Sequence, residues 1–164
     1  MIEPEKVSSR EAKARGYDPA TIERLRRDEG ANAEALALIP DIEAAFDGVA
    51  RPRITLSVAK GFDDEWELSD ERLAELSARD PEQTWQEVPD ESIEERQEYF
   101  TFSDAEGWRF YLPAYLVHYL RRFPDCGWGA VVDACINKNH VDFLNEAQLR
   151  CVDQFVDLWR NHGQ

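Results

Sequence analysis

The segment GWRFYLPAYLVHYLRRF, Gly107 to Phe123, limits the fold more than any other part of the chain. From Pro113 to Arg122 the apolar residues Ala114, Tyr115, Leu116, Val117, Tyr119 and Leu120 leave no continuous polar side. A helix that is apolar all round must be covered on every face, so the spacing predicts a buried central helix near 113–122. Pro113 suits its first position, because a missing N–H is harmless there and Leu112 is pushed out of helical geometry. Upstream, Ser103–Glu106 fits a capping box for a separate first turn that Gly107 ends.

Punctuation marks the other elements. Asp18 as cap, Pro19 at the first position and Gly30 as stop frame a short helix whose strong apolar contacts are Ile22 and Leu25. Residues 1–31 therefore read as a polar N-terminal arm, and 32–164 as a single globular domain. Asn32 is a candidate cap for the next helix, which carries Leu36, Leu38, Ile39, Ile42, Ala45 and Phe46. Pro40 predicts a kink or restart in it, and Gly48 its end. Ile54, Leu56 and Val58 alternate with Arg53, Thr55 and Ser57, the strongest period-two signal in the chain, which predicts a strand.

Ser69 or Asp70 caps a helix that stops before Pro81. Two short helical turns with Trp85, Val88 and Ile93 as anchors follow, and Tyr99, Phe100 and Phe102 return in extended form. A glycine-framed helix spans GWGAVVDACINKN. Asn145 and Gln148 form a capping box for a last helix with Leu149, Val152, Phe155, Val156 and Trp159 on one stripe, closed by Gly163. The fold class expected is α+β, mainly α: one compact domain with one small sheet or hairpin around the central helix.

Charge is concentrated. The net charge of −15 sits almost wholly in residues 61–107, where three Lys/Arg face seventeen Asp/Glu. Such a field repels nucleic acid and anionic lipid, so neither is expected as a partner. It attracts a basic protein and speeds the encounter. The densest cluster is Asp63, Asp64, Glu65, Trp66 and Glu67. Acids around an indole suit a protein contact, because Trp is enriched at interface hot spots. The cluster lacks the glycine and the ligand spacing of a calcium loop.

Other chemistry is sparse. Cys126, Cys135 and Cys151 with His140 lack the close cysteine pairs of structural zinc sites and read as small apolar residues. Phosphate-binding glycine motifs, nucleophile elbows and zinc-protease helices are absent, so no cofactor, metal or catalytic residue is assigned. His118 could act as an acid or base at neutral pH. With Tyr111 and Tyr115 it could line a pocket for a small molecule. The charged first residues lack the apolar centre of a signal peptide, which predicts a cytoplasmic protein.

LIPDIEAAFDGVARP (38–52), TWQEVP (84–89) and EGWRFYLPAYLVHYL (106–120) together resemble an uncharacterised family of small bacterial proteins. That family has an I-x-x-A-F helix near its start and a Y-L-P-A-[FY]-L helix further on. The resemblance spans roughly 36–160 and implies a bacterial, cytoplasmic origin; it brings no catalytic residue. The function expected is a non-catalytic acidic protein-interaction module, adaptor- or immunity-like, that binds a basic partner through residues 63–67. The alternative is a small-molecule binder or enzyme with a pocket lined by Tyr111, Tyr115 and His118.

Overall fold

A computed structural model describes residues 6–162, and it is all-α. Among the described residues nine α-helices follow in order: α1 (Ser9–Ala14), α2 (Pro19–Ala45), α3 (Leu56–Glu65), α4 (Asp70–Ser77), α5 (Asp90–Glu95), α6 (Tyr99–Phe102), α7 (Ala105–Leu120), α8 (Ala130–Asn137) and α9 (Glu146–His162). Single 3₁₀ turns lie at Trp85–Glu87 and Val141–Phe143. No strand or sheet occurs among the described residues, which corrects the α+β expectation. The supposed strand at 53–58 is the entry to α3: Thr55 is extended (φ −86°, ψ 179°) and the helix starts at Leu56. An isolated strand would leave its backbone groups unpaired, whereas a helix satisfies them internally. Leu56, Val58 and Ala59 bury against the core equally well from a helix.

Helix α2 crosses two breaks that the sequence suggests. Asp18 caps it, accepting from the Thr21 N–H at 3.0 Å and from the Thr21 hydroxyl at 2.6 Å, and Pro19 stands at its start. It then passes through Gly30 and Pro40 to Ala45. Ala31, Ala35, Leu38 and Ile42 are buried at spacings of four, three and four, so one inward stripe spans both residues. A glycine within a helix costs only about 1 kcal/mol. Pro40 and the residue whose carbonyl it leaves free, Leu36, both lie on the exposed side, where water can replace the lost bond. Asn32 is therefore no cap; its Nδ2 donates to the Phe123 carbonyl at 2.9 Å. The helix also continues across residues 31 and 32, between the polar arm and the domain. Gly48 has φ +72° and follows the helix end, as expected.

Helix α7 lies at the centre. It starts at Ala105, eight residues before Pro113, and every residue from Gly107 to Leu120 is buried except Arg109 and His118. Asp104, not Ser103, caps it, accepting from the Gly107 N–H at 2.9 Å. Pro113 inside a helix costs about 3 kcal/mol. Burying Trp108, Phe110, Tyr111 and Leu112 on the preceding turns offsets this several times over, at about 1.5–3 kcal/mol each. Packing thus overrides the proline.

Helix α7 packs against α2, α5, α8 and both 3₁₀ turns, and the α6 rings of Tyr99 and Phe100 reach it as well. Helices α2 and α9 form the most extensive pair, and α2 also lies against α7. Asn145 and Gln148 form the expected reciprocal cap of α9, at 2.9 and 3.1 Å. Tyr99 and Phe100 reach the core from a short helix, not an extended segment. The Trp85 indole donates to the Phe46 carbonyl at 3.0 Å, joining the 3₁₀ turn to the end of α2. All three cysteines are free; Cys135 and Cys151 are buried and Cys126 is half-buried.

Candidate functional site

Trp66 stands where α3 ends. Its backbone adopts φ 61° and ψ −58°. The Glu67 N–H donates to the Glu65 carbonyl at 2.6 Å across it. This is the γ-turn of positive φ, a rare and strained form. Such a conformation costs a bulky residue on the order of 1–3 kcal/mol. The side chain gains no burial in return, since it is 91% exposed. Stability alone would favour glycine in the turn and a polar side chain in the water.

Four carboxylates flank the indole. Lys60 Nζ lies 3.4 Å from Asp63 and 3.1 Å from Asp64. These contacts, Asp64 foremost, hold the Lys60 ammonium above its usual range, so it stays charged. Arg72 lies 3.1 Å from Glu65 and 2.8 Å from Glu75. Glu67 has no ion pair among the described residues. Arg79 also reaches Glu75 at 3.5 Å, so three cations balance five acids, and a negative field remains around an exposed ring. Exposed pairs of this kind add at most about 1 kcal/mol each to stability, so the cluster is not explained by folding.

His118 occupies a different place. It lies at the mouth of a cleft of about 390 Å³ between α5 and the end of α7. Its Nδ1 is 3.0 Å from Asp90 and its Nε2 is 2.6 Å from Glu94. Arg121 reaches the same Asp90 oxygen at 3.4 Å. The His118 bond, followed by the charges of Arg121 and Arg122, holds the Asp90 carboxyl below its usual range. Both ring nitrogens already face carboxylates, so neither is turned towards a nucleophile. Serine, threonine and cysteine are absent from the lining.

The structure does not bring Tyr111 and Tyr115 into that cleft. Both are fully buried. The Tyr111 hydroxyl donates to the buried Glu82 carboxylate at 2.8 Å, and the Tyr115 hydroxyl to the Arg96 carbonyl at 2.6 Å. Burial pushes both phenols well above their ordinary value. Spacing does not separate them, since Tyr115 and Tyr111 stand three and seven residues before His118 on one side of α7. They are covered by Glu82 and the 96–100 segment, whereas His118, nearer the helix end, is half-buried. The partners of His118, Asp90 and Glu94, come from a separate helix, and nothing in the local sequence ties them to it.

Among the described residues, no group of three or more His, Cys, Asp or Glu has the arrangement to hold a metal ion. No described helix is long and apolar enough to cross a membrane. No curated protein and no solved structure matches the chain. A family model does match, over residues 34–163, from the middle of α2 past the end of α9. The chain belongs to that family, a family of unknown function (DUF6714), as its resemblance to an uncharacterised family implies.

Proposed function

We propose that this protein is a non-catalytic interaction module, adaptor- or immunity-like, whose acidic segment receives a basic protein partner with Trp66 as the anchor. The observation that carries this reading is the pairing of strain with exposure at Trp66: φ 61° and 91% of the side chain in water. Strain that folding does not require belongs with function. An indole is the side chain most often found at the energetic centre of interfaces. The surrounding carboxylates at Asp63, Asp64, Glu65 and Glu67 steer a positive surface onto it. The partner therefore presents cationic side chains around an apolar recess that accepts the ring. A bacterial cytoplasm is the proposed setting, in line with three free thiols.

The test compares capture by the wild-type chain, by Trp66→Ala, and by a triple reversal of Asp63, Asp64 and Glu67 to lysine. A basic protein should bind the first, be lost from the other two, and release as salt rises. A partner retained equally by all three chains would refute the assignment.

A further inference from the structure

After α7 the chain turns through 123–129 and encloses a cavity of about 240 Å³ between this turn, α2 and α9. Two of its walls are the indoles of Trp128 and Trp159. Their centroids are 5.3 Å apart and their planes meet at 75°. Rings set edge to face form a corner; Trp128 is its open wall, and Trp159, packed between Phe123 and Phe155, is its buried one. Both are held in place. The Trp128 N–H donates to Asp133 at 3.1 Å, and Trp159 packs on Phe123 at 5.1 Å. Trp128 is nevertheless 52% exposed, so about half of its surface is open to solvent.

The charged groups of the lining are Asp28, Asp125 and His162. Asp125 pairs with Lys6, and His162 lies 2.9 Å from Glu34. Asp28 is different: it is half-buried and has neither an ion pair nor a hydrogen-bond partner among the described residues. A carboxylate drawn partly out of water without a partner is unfavourable. Beside it stand two indole faces, which attract cations by their quadrupoles.

From this juxtaposition we infer that the cavity binds a small free alkylammonium ion, its alkyl groups against Trp128 and Trp159 and its charge facing Asp28. An alkylammonium sheds its weakly held water easily, as contact with an indole requires. The volume lies just below the range of pockets for drug-sized ligands and suits a headgroup-sized ion. The site shares no residue with the Trp66 face.

Calorimetric titration of the full chain tests this with choline chloride, with tetramethylammonium chloride and with dimethylbutanol, the uncharged carbon isostere of choline, at matched ionic strength. Both cations should bind at one site, and the isostere about tenfold more weakly or not at all. Trp128→Ala should abolish binding, and Asp28→Asn should weaken it about tenfold with the helical spectrum unchanged. If Trp128→Ala does not fold, Asp28→Asn decides. Equal binding of the neutral isostere, full affinity in Asp28→Asn, or no binding of either cation would each overturn the inference.

Discussion

The Nε2 atom of His118 and the Glu94 carboxylate lie 2.6 Å apart, and this contact ties the central helix to α5. With Asp90 on the other nitrogen, the two acceptors are satisfied together only when both ring nitrogens carry hydrogen. Helix α5 is otherwise held by little: Ile93 is its one buried residue. Replacing His118 with alanine should therefore release α5 while the rest of the fold persists. Hydrogen exchange should quicken at the amides of 90–95, and global stability should fall by about 1 kcal/mol. On the Asp90 side the pH dependence has a definite sign. Asp90 is held below its ordinary 3.8, so its contribution is present above that value and is lost as the pH falls below it through the folded-state value. Exchange of α5 that stays unchanged in the variant would rule out the clamp.

A second prediction concerns Tyr111 and Glu82. The Tyr111 hydroxyl is the one hydrogen-bond donor to the Glu82 side chain among the described residues. Tyr111→Phe would leave a buried carboxylate without it, at a loss of about 1–3 kcal/mol. Adding Glu82→Gln should recover part of that loss, because an uncharged amide is less costly to bury. Denaturant midpoints of the two single variants and the double variant would show the coupling.

Alkali should unfold the domain cooperatively. Burial raises the phenols of Tyr99, Tyr111 and Tyr115 above the ordinary 10.0. A raised folded-state value means that the stabilisation is complete below pH 10 and is lost as the pH climbs past it, because only the unfolded chain can ionise. Each group removes about 1.4 kcal/mol per pH unit, so three remove about 4. A typical domain stability would then vanish within about two to three units. Phenolate absorbance from these residues should rise together with the loss of helical circular dichroism, not before it.

At Trp66 stability and binding should part company. Trp66→Gly relieves the positive-φ turn and should raise stability by about 1 kcal/mol, despite the entropy that glycine adds to the unfolded chain. The same variant should lose the basic partner. Thermal unfolding and capture, measured on one preparation, check both halves.

Much of this architecture can be read from residue order, but selectively. The cap at Asp18, the reciprocal pair Asn145–Gln148 and the all-round apolar helix are local signals, and the folded chain keeps them. Gly30, Pro40 and Pro113 are local signals too, yet α2 and α7 run through all three, because apolar stripes on both sides outweigh a break worth a few kcal/mol. The alternation at 53–58 has no second strand to pair with, and periodicity within one segment cannot reveal that. At the candidate site the indole among acids stands out in the sequence. The γ-turn beneath it does not, because no glycine marks it. The corner formed by Trp128 and Trp159 depends on a tertiary approach across thirty-one positions.

The absence of a wet side on α7 bears on how the chain is made. A rod that is greasy around its whole circumference gains nothing from forming alone. As synthesis proceeds it emerges before α8, which packs on it, and before α9, which packs on α2 and α8. Until those arrive, the sticky stretch from Trp108 to Leu120 has only the earlier helices for shelter, so a chain cut short before Glu146 should aggregate rather than persist as a smaller domain.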